Sequence, residues 1–271
     1  MAPFARRIAP RSLLALCLVA AACGTVPPAA PDGAGPDAAP DAGVDAPAGR
    51  VDPCPTAGQV GCYDFEAGAA PGRIVDGSGQ GNDGAAAGVR FDDGPDGLAV
   101  VVDPAASRVV IPDADSLDVE QGSFELWARA SSVVAPGAIQ HLIDNNGEYS
   151  LIMRVDNRVQ CMVKLATAVY VEVWTTAPLD IGMWHHIACT YDRSEGKLRI
   201  YFDGRFDAEA QAAMPAAIAD EAVPLVIGGN SPCPMGACTD AFVGAIDQVR
   251  IWKWPLGARR ICTHAGRDDC P

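Results

Sequence analysis

The side chains best placed to meet a ligand are aromatic and charged residues at alternate positions of short β-type runs. In Phe124-Glu125-Leu126-Trp127-Ala128-Arg129 the apolar set is Phe124, Leu126 and Ala128. A strand alternates its faces, so Glu125, Trp127 and Arg129 share the opposite one. In Val169–Trp174 the inward set is Val169, Val171 and Val173, which sends Tyr170, Glu172 and Trp174 outward. In Tyr149–Val155 the inward set is Tyr149, Leu151, Met153 and Val155, leaving Ser150, Ile152 and Arg154 outside. An aromatic ring stacks on the apolar face of a sugar while Arg or Glu hydrogen-bonds its hydroxyls. The predicted ligand-binding residues are therefore Trp127, Arg129, Arg154, Tyr170, Glu172 and Trp174, gathered on an outer face. The competing expectation is that Trp127 and Trp174 are covered by neighbouring loops. Trp184 and Tyr191 are read as packing residues.

Cysteine placement points to an oxidising compartment. Cys161 lies in phase with Val159 and Val163, and Cys189 with Ile187 and Tyr191, so both point into the core and a Cys161–Cys189 disulfide is predicted. Sequence proximity suggests Cys54–Cys62, Cys233–Cys238 and Cys262–Cys270, with a bridge between the terminal pairs as the main alternative. Zinc at Cys233 and Cys238 is disfavoured, because one short Cys pair with no second Cys or His pair nearby is a poor ligand set. His185-His186 invites a catalytic reading. Adjacent strand residues point to opposite faces, however, so the two imidazoles cannot act jointly on one substrate.

These groups must be held by strands. Period-two runs of β-branched and aromatic residues recur from Cys62–Phe65 to Ala245–Trp252, separated by Gly, Pro, Asp and Asn clusters. Asp156-Asn157 and Asp203-Gly204 carry residues that tolerate the positive φ of tight hairpin turns. No comparable helical periodicity is present. Asp207–Met214 is alanine-rich without an apolar stripe and is closed by Pro215, so a loop or single turn is expected there. The expected fold class is all-β, a two-sheet antiparallel β-sandwich.

Three segments resemble a known family. Asp76-Gly77-Ser78-Gly79-Gln80-Gly81-Asn82-Asp83-Gly84 is similar to the glycine-rich loop of laminin G-like, concanavalin A-like jelly rolls. Trp184-His185-His186-Ile187-Ala188, followed by Tyr191-Asp192 and by Leu198-Arg199-Ile200-Tyr201-Phe202-Asp203-Gly204, is similar to their central block. Phe242-Val243-Gly244-Ala245-Ile246-Asp247-Gln248-Val249-Arg250-Ile251 is similar to their closing strand. The resemblance runs from about Cys62 to Leu256. It implies a lectin-like function, with ligands on the concave sheet or its rim loops. It also implies a structural Ca²⁺ held by Asp247, with Asp64, Asp76 and Asn82 as co-ligands; hard oxygen donors suit that ion. Glucanases share the sandwich, but their paired glutamates at an E-x-D-x-x-E spacing have no counterpart here. Glu125, Glu172 and Glu195 each lack a second suitably spaced acid, so a non-catalytic module is expected.

The chain ends set the context. Arg6, Arg7 and Arg11 precede an apolar run, Leu13–Ala22, too short to span a bilayer, and Ala20-Ala21-Ala22-Cys23 resembles a bacterial lipobox. Residues 1–22 are expected to be a lipoprotein signal peptide and Cys23 the lipidated residue, with ordinary cleavage after Ala22 as the alternative. Gly24 lacks an acidic retention signal, which favours the outer membrane. Residues 23–52, rich in Pro, Ala and Asp, form an expected tether, and 53–271 the jelly-roll domain. The net charge of −14 argues against nucleic acid and against an anionic membrane surface as partners. The expected partner is a glycan or a surface protein, with the membrane met only through the N-terminal lipid.

Overall fold

In the computed structural model the described residues are 54, 56–66, 72–103, 107–146, 148–232 and 240–271. The expected signal peptide, the tether, Cys23 and the Cys233–Cys238 pair lie outside them.

One sheet, A, is built from β1 (Gln59–Tyr63), β4 (Arg90–Asp93), β5 (Leu98–Val102), β7 (Gly122–Ala130), β12 (His185–Asp192), β13 (Lys197–Phe202), β14 (Arg205–Gln211) and β16 (Gly244–Trp252). The other, B, contains β2 (Arg73–Ile74), β3 (Gly84–Ala87), β6 (Arg108–Ile111), β8 (Gln140–Asp144), β9 (Tyr149–Met153), β10 (Val159–Lys164), β11 (Tyr170–Trp174) and β15 (Leu225–Ile227). Sheet A runs β14-β13-β12-β7-β16-β5-β4, with β1 also on β16, and sheet B runs β11-β10-β9-β8-β15-β6-β3-β2. All pairings between these strands are antiparallel. The two-sheet antiparallel sandwich is the fold that strand alternation predicts.

The inner faces meet in one apolar core. Phe124 of sheet A stacks on Tyr149 of sheet B with ring centroids 4.1 Å apart, a pairing worth about 0.5–1.5 kcal/mol beyond its buried area. Cys161 of β10 and Cys189 of β12 are fully buried and bridged across the two sheets. Cys54–Cys62 and Cys262–Cys270 are also bonded, so these cysteines pair with their sequence neighbours rather than end to end. Both predicted hairpins form, with positive φ at Asn157, Asp203 and Gly204.

Three expectations fail. Asp207–Met214 is not a loop: its first part belongs to β14, whose Glu209 pairs with Arg199 and Lys197 while Ala208 and Ala210 pack against the core. Cross-strand contacts overrode the alanine content. The chain also closes in a helix, α1 (Ala258–His264), too short to print a periodic pattern; it buries Ile261, Cys262 and His264 against sheet A. Val169 and Val155 do not face inward but are 42% and 54% exposed, because Val169 stands outside β11, next to Ala168 with its positive φ, and Val155 lies beyond the end of β9 at Met153.

Two bulges control which side chains reach the outside. In β16 the register slips between Asp247 and Arg250, where Gln248 takes φ 48°. Asp247 and Arg250, three apart, thereby come to the same outer face. In β8 the register slips between His141 and Ile143, so His141 pairs with outward Ile152 and Ile143 with inward Leu151.

Candidate functional site

The six predicted ligand-binding residues do not share one surface. Trp127 and Arg129 stand on the outer face of sheet A. Arg154, Tyr170, Glu172 and Trp174 stand on the outer face of sheet B. Alternation reports inward or outward; it cannot say on which sheet.

On sheet A, His186, Trp127 and Asp247 form one cross-strand row, and Ala188, Glu125 and Arg250 form the next. The helix α1 closes over the second row. His264 Nδ1 comes to 2.7 Å from Glu125 Oε1, with His186 Nε2 3.6 Å and Arg250 Nη1 3.8 Å from the same carboxylate. Burial alone would raise the Glu125 pKa, but His264 and His186 outweigh it and hold the carboxyl well below its usual range. Glu125 and His186 are each 1% exposed, and with their charges set against one another under α1 this acid–imidazole group clamps the helix to the sheet. His185 is likewise occupied: its Nδ1 lies 3.0 Å from Asp203 Oδ2, and its Nε2 accepts from the Asp180 N–H at 3.2 Å. Trp127 is half-buried, edge-on to His186. Arg129 spans Trp184 and Asp92, 4.9 Å from the ring centroid and 3.1 Å from the carboxylate. Trp184 is a packing residue, though against the outer cluster of Ala99, Val101 and Ala245 rather than the core.

Sheet B differs. Its outer face carries the row Trp174–Gln160–Ile152–His141 and beside it Glu172–Met162–Ser150–Asp144. Gln160 is 0% exposed, and neither its amide oxygen nor its amide nitrogen has a hydrogen-bond partner. His141 is 6% exposed with both ring nitrogens in the same state, and Arg154 Nε is a third buried, unbonded group. Burial lowers the His141 pKa, opposed by Asp144 and Asp240 and assisted by Arg154. The guanidinium groups of Arg154 and Arg158 lie 5.2 and 5.6 Å from the centroid of Trp174. Tyr170 is half-exposed and Glu172 exposed at the far end of β11. Buried polar groups are almost always hydrogen-bonded, and leaving one unbonded costs about 1–3 kcal/mol. Several such groups lie together here, beside an indole and an open tyrosine, with no hydrogen bond among the described residues.

Gln160 is outward by plain alternation, but an amide on a strand carries no signal of its own. His141 was invisible, since its phase matches inward Ile143 until the bulge is known.

The proposed metal ligands also separate. Both carboxylate oxygens of Asp76 are engaged, Oδ1 by the N–H groups of Cys62 and Ser78 and Oδ2 by Ser78 Oγ and the Asn82 N–H. Asn82 donates to the Val60 carbonyl at 2.8 Å and accepts from Ser116 Oγ at 3.0 Å. These two residues shape the glycine-rich loop and do not fit a metal. Asp64 accepts from the Glu66 N–H at 3.2 Å. Asp247 does fit. It is fully buried, its Oδ1 accepts from the Gln248 N–H at 2.7 Å, and its Oδ2 has no hydrogen-bond partner. Burial, with the charges of Glu66 and Asp96, pushes its pKa up to about 8. Gly94 lies so close above it that a β-carbon there would come within 2.5 Å of Oδ2. Among the described residues no three His, Cys, Asp or Glu side chains converge as a ready metal set.

The family model for the concanavalin A-like lectin/glucanases superfamily, Laminin_G_3, matches residues 103–262, more than half of the chain. The chain belongs to that superfamily. Among curated proteins it is similar to the sushi, von Willebrand factor type A, EGF and pentraxin domain-containing protein 1 of Rattus norvegicus, 25% identical over 158 residues. That match covers 54% of this chain and 4% of the rat protein. The Mus musculus protein of that name is 26% identical over 159 residues, again 54% of this chain and 4% of its own length.

Solved structures agree on the fold of this concanavalin A-like domain. The binding domain of Paraclostridial Mosquitocidal Protein 1 superposes with a TM-score of 0.64 at 15% identity, covering 77% of this chain and 52% of that one. Domain 4 of AbnA, a GH43 extracellular arabinanase from Geobacillus stearothermophilus in complex with arabinotriose, gives 0.58 at 18%, covering 76% and 98%. The binding domain of botulinum neurotoxin DC in complex with rat synaptotagmin II gives 0.57 at 14%, covering 77% and 51%.

Proposed function

We propose that this concanavalin A-like domain is a non-catalytic binding module that holds a carbohydrate on the outer face of sheet B, across Tyr170, Glu172, Trp174, Gln160, Arg154 and His141. The observation that carries this is the buried Gln160 amide, unbonded at both ends, in one row with His141 and Trp174. Tyr170 and Trp174 are four residues apart on one strand, about 13 Å at the usual strand rise. That span suits an oligosaccharide better than a single sugar. The arabinotriose-bound neighbour lends the fold precedent. A glycan array tests it: saturable binding to a glycan, abolished by Trp174→Ala and by Gln160→Leu, is expected. Silence across the array overturns it.

A protein ligand is the second reading, favoured by Val169 and Tyr170, 42% and 50% exposed at the start of the edge strand β11. A synaptotagmin-bound neighbour shares the fold. We further propose export as a lipoprotein anchored through Cys23 to the outer membrane, the tether 23–52 carrying the domain 53–271. Loss of radiolabelled palmitate incorporation in Cys23→Ala tests the anchor. Calcium is proposed at Asp247, with Glu66 and Asp96 closing on the ion in place of Asp76 and Asn82. It would act there as a structural ion, remote from the sheet B face.

A further inference from the structure

We infer that the sheet B face is built for an anionic glycan, one carrying a carboxylate or sulfate ester, with Arg154 as the counter-charge; this rests on the carbohydrate-binding reading and narrows it.

Most charges on this face are paired, hydrogen-bonded or exposed. Arg158 pairs with Asp156 at 2.5 Å, and Lys164 pairs with Glu221. Asp144 is buried and accepts from Ser150 Oγ at 2.5 Å and from the Ser231 N–H at 2.7 Å. Glu172 and Asp240 are exposed, where water and salt screen them. Arg154 differs from all of these. It is half-buried, makes no ion pair among the described residues, and keeps a buried Nε without a hydrogen bond. In a chain of net charge −14 an uncompensated guanidinium is conspicuous, since 34 carboxylates were available to pair with it.

The neighbours of Arg154 are suited to an oxyanion. Its own Nε–H and the Gln160 amide N–H groups are donors on the same face, beside His141, whose Nδ1 faces Asp144 at 3.7 Å and whose Nε2 has no hydrogen bond among the described residues. A guanidinium fork matches the paired oxygens of a carboxylate or sulfate, which a sugar hydroxyl does not. The indole of Trp174 meanwhile carries two guanidinium groups over its ring. It is therefore less a bare platform for a neutral sugar than a support that holds Arg154 in place; the exposed ring for stacking is Tyr170, at the far end of β11. The ligand that satisfies both ends has an apolar sugar face over Tyr170 and a negative group beside Arg154.

Calorimetry on the full mature chain with three probes tests this: trigalacturonate, a chondroitin sulfate tetrasaccharide and neutral galactotriose. At least one anionic probe is expected to bind about tenfold or more tighter than galactotriose. Which one does so separates carboxylate from sulfate. Arg154→Gln is expected to erase that preference and Arg154→Lys to keep part of it. Raising salt from about 0.05 to about 0.5 M should weaken the anionic probe and spare galactotriose, a readout that needs no variant to fold. Equal binding of neutral and anionic probes, lost in Trp174→Ala, overturns the anionic inference and leaves the carbohydrate face standing. If none of the three binds, the anionic inference falls; the glycan array then decides whether the carbohydrate reading falls with it.

Discussion

Polar residues turned away from the core gather on both sheets, yet their fates differ. On sheet A, Glu125 is buried among His264, His186 and Arg250 beneath α1, each charge set against an opposite one. On sheet B, the Gln160 amide and the buried Arg154 Nε have no hydrogen bond among the described residues, while His141 faces Asp144 at 3.7 Å. Burying a charge or a hydrogen-bonding group is costly in either place. Where the chain itself answers the cost, the group fastens one element to another. Where it leaves the cost standing, the surface can recover it from a ligand. Polar burial alone therefore does not mark a site, and neither does one unbonded atom, since Trp127 Nε1 and His186 Nδ1 on sheet A are unbonded too; what sets sheet B apart is the Gln160 amide, unbonded at both ends with no opposite charge against it.

The largest expected effect breaks the clamp. Glu125→Ala leaves buried imidazole and guanidinium groups facing each other and should cost about 3–5 kcal/mol in denaturant unfolding. Glycan affinity of the folded fraction should stay unchanged. Lost affinity at full stability would exchange the roles assigned to the two faces.

Next comes the bridge that both faces share. Cys161→Ala with Cys189→Ala should lower stability by about 2–4 kcal/mol, read by the same unfolding curve. It unlinks β10 from β12 without touching either outer row, so binding at low denaturant should persist.

The paired tryptophans give a smaller and more selective contrast. Trp174→Ala should weaken glycan binding about tenfold or more, while Trp127→Ala, on the clamped sheet, should change it less than about twofold. Equal losses would mean that the ligand reaches around both faces, and the comparison would fail.

The smallest effect is a pH slope. Asp247 is raised to about 8 by burial and by the charges of Glu66 and Asp96, and Glu148 to about 8 by burial and by Asp118 and its acidic neighbours. A carboxyl with a raised folded pKa holds its proton longer in the native state than in the unfolded one. Stability should therefore fall as pH rises from about 4 through 8, since the native state binds more protons over that range. In chelator, the melting temperature should decline across this window, and Asp247→Asn should flatten the part due to Asp247, leaving that of Glu148. Calcium should raise the melting temperature of the native chain near pH 8 and fail to do so in Asp247→Asn. A calcium response that survives Asp247→Asn would place the ion elsewhere.

Much of this protein was legible in its residues one strand at a time. Alternation pointed Cys161 and Cys189 into the core and sent Tyr170, Glu172, Trp174 and Arg154 outward, while the Asp, Asn and Gly residues themselves marked the turns at Asn157 and Asp203-Gly204. A period of two is a local property, imposed by the backbone of each strand, so a single sequence records it. Which sheet a strand joins is not local. Trp127 and Trp174 read alike and lie on opposite sides of the molecule, because only long-range pairing assigns β7 to one sheet and β11 to the other. Nor does local pattern carry a bulge: one extra residue in β8 turned His141 out, and one in β16 brought Asp247 and Arg250 to a common face. Tertiary structure alone decided that α1 would roof Glu125 and leave Gln160 without a partner, because a hydrogen bond between distant elements depends on where both of them come to rest.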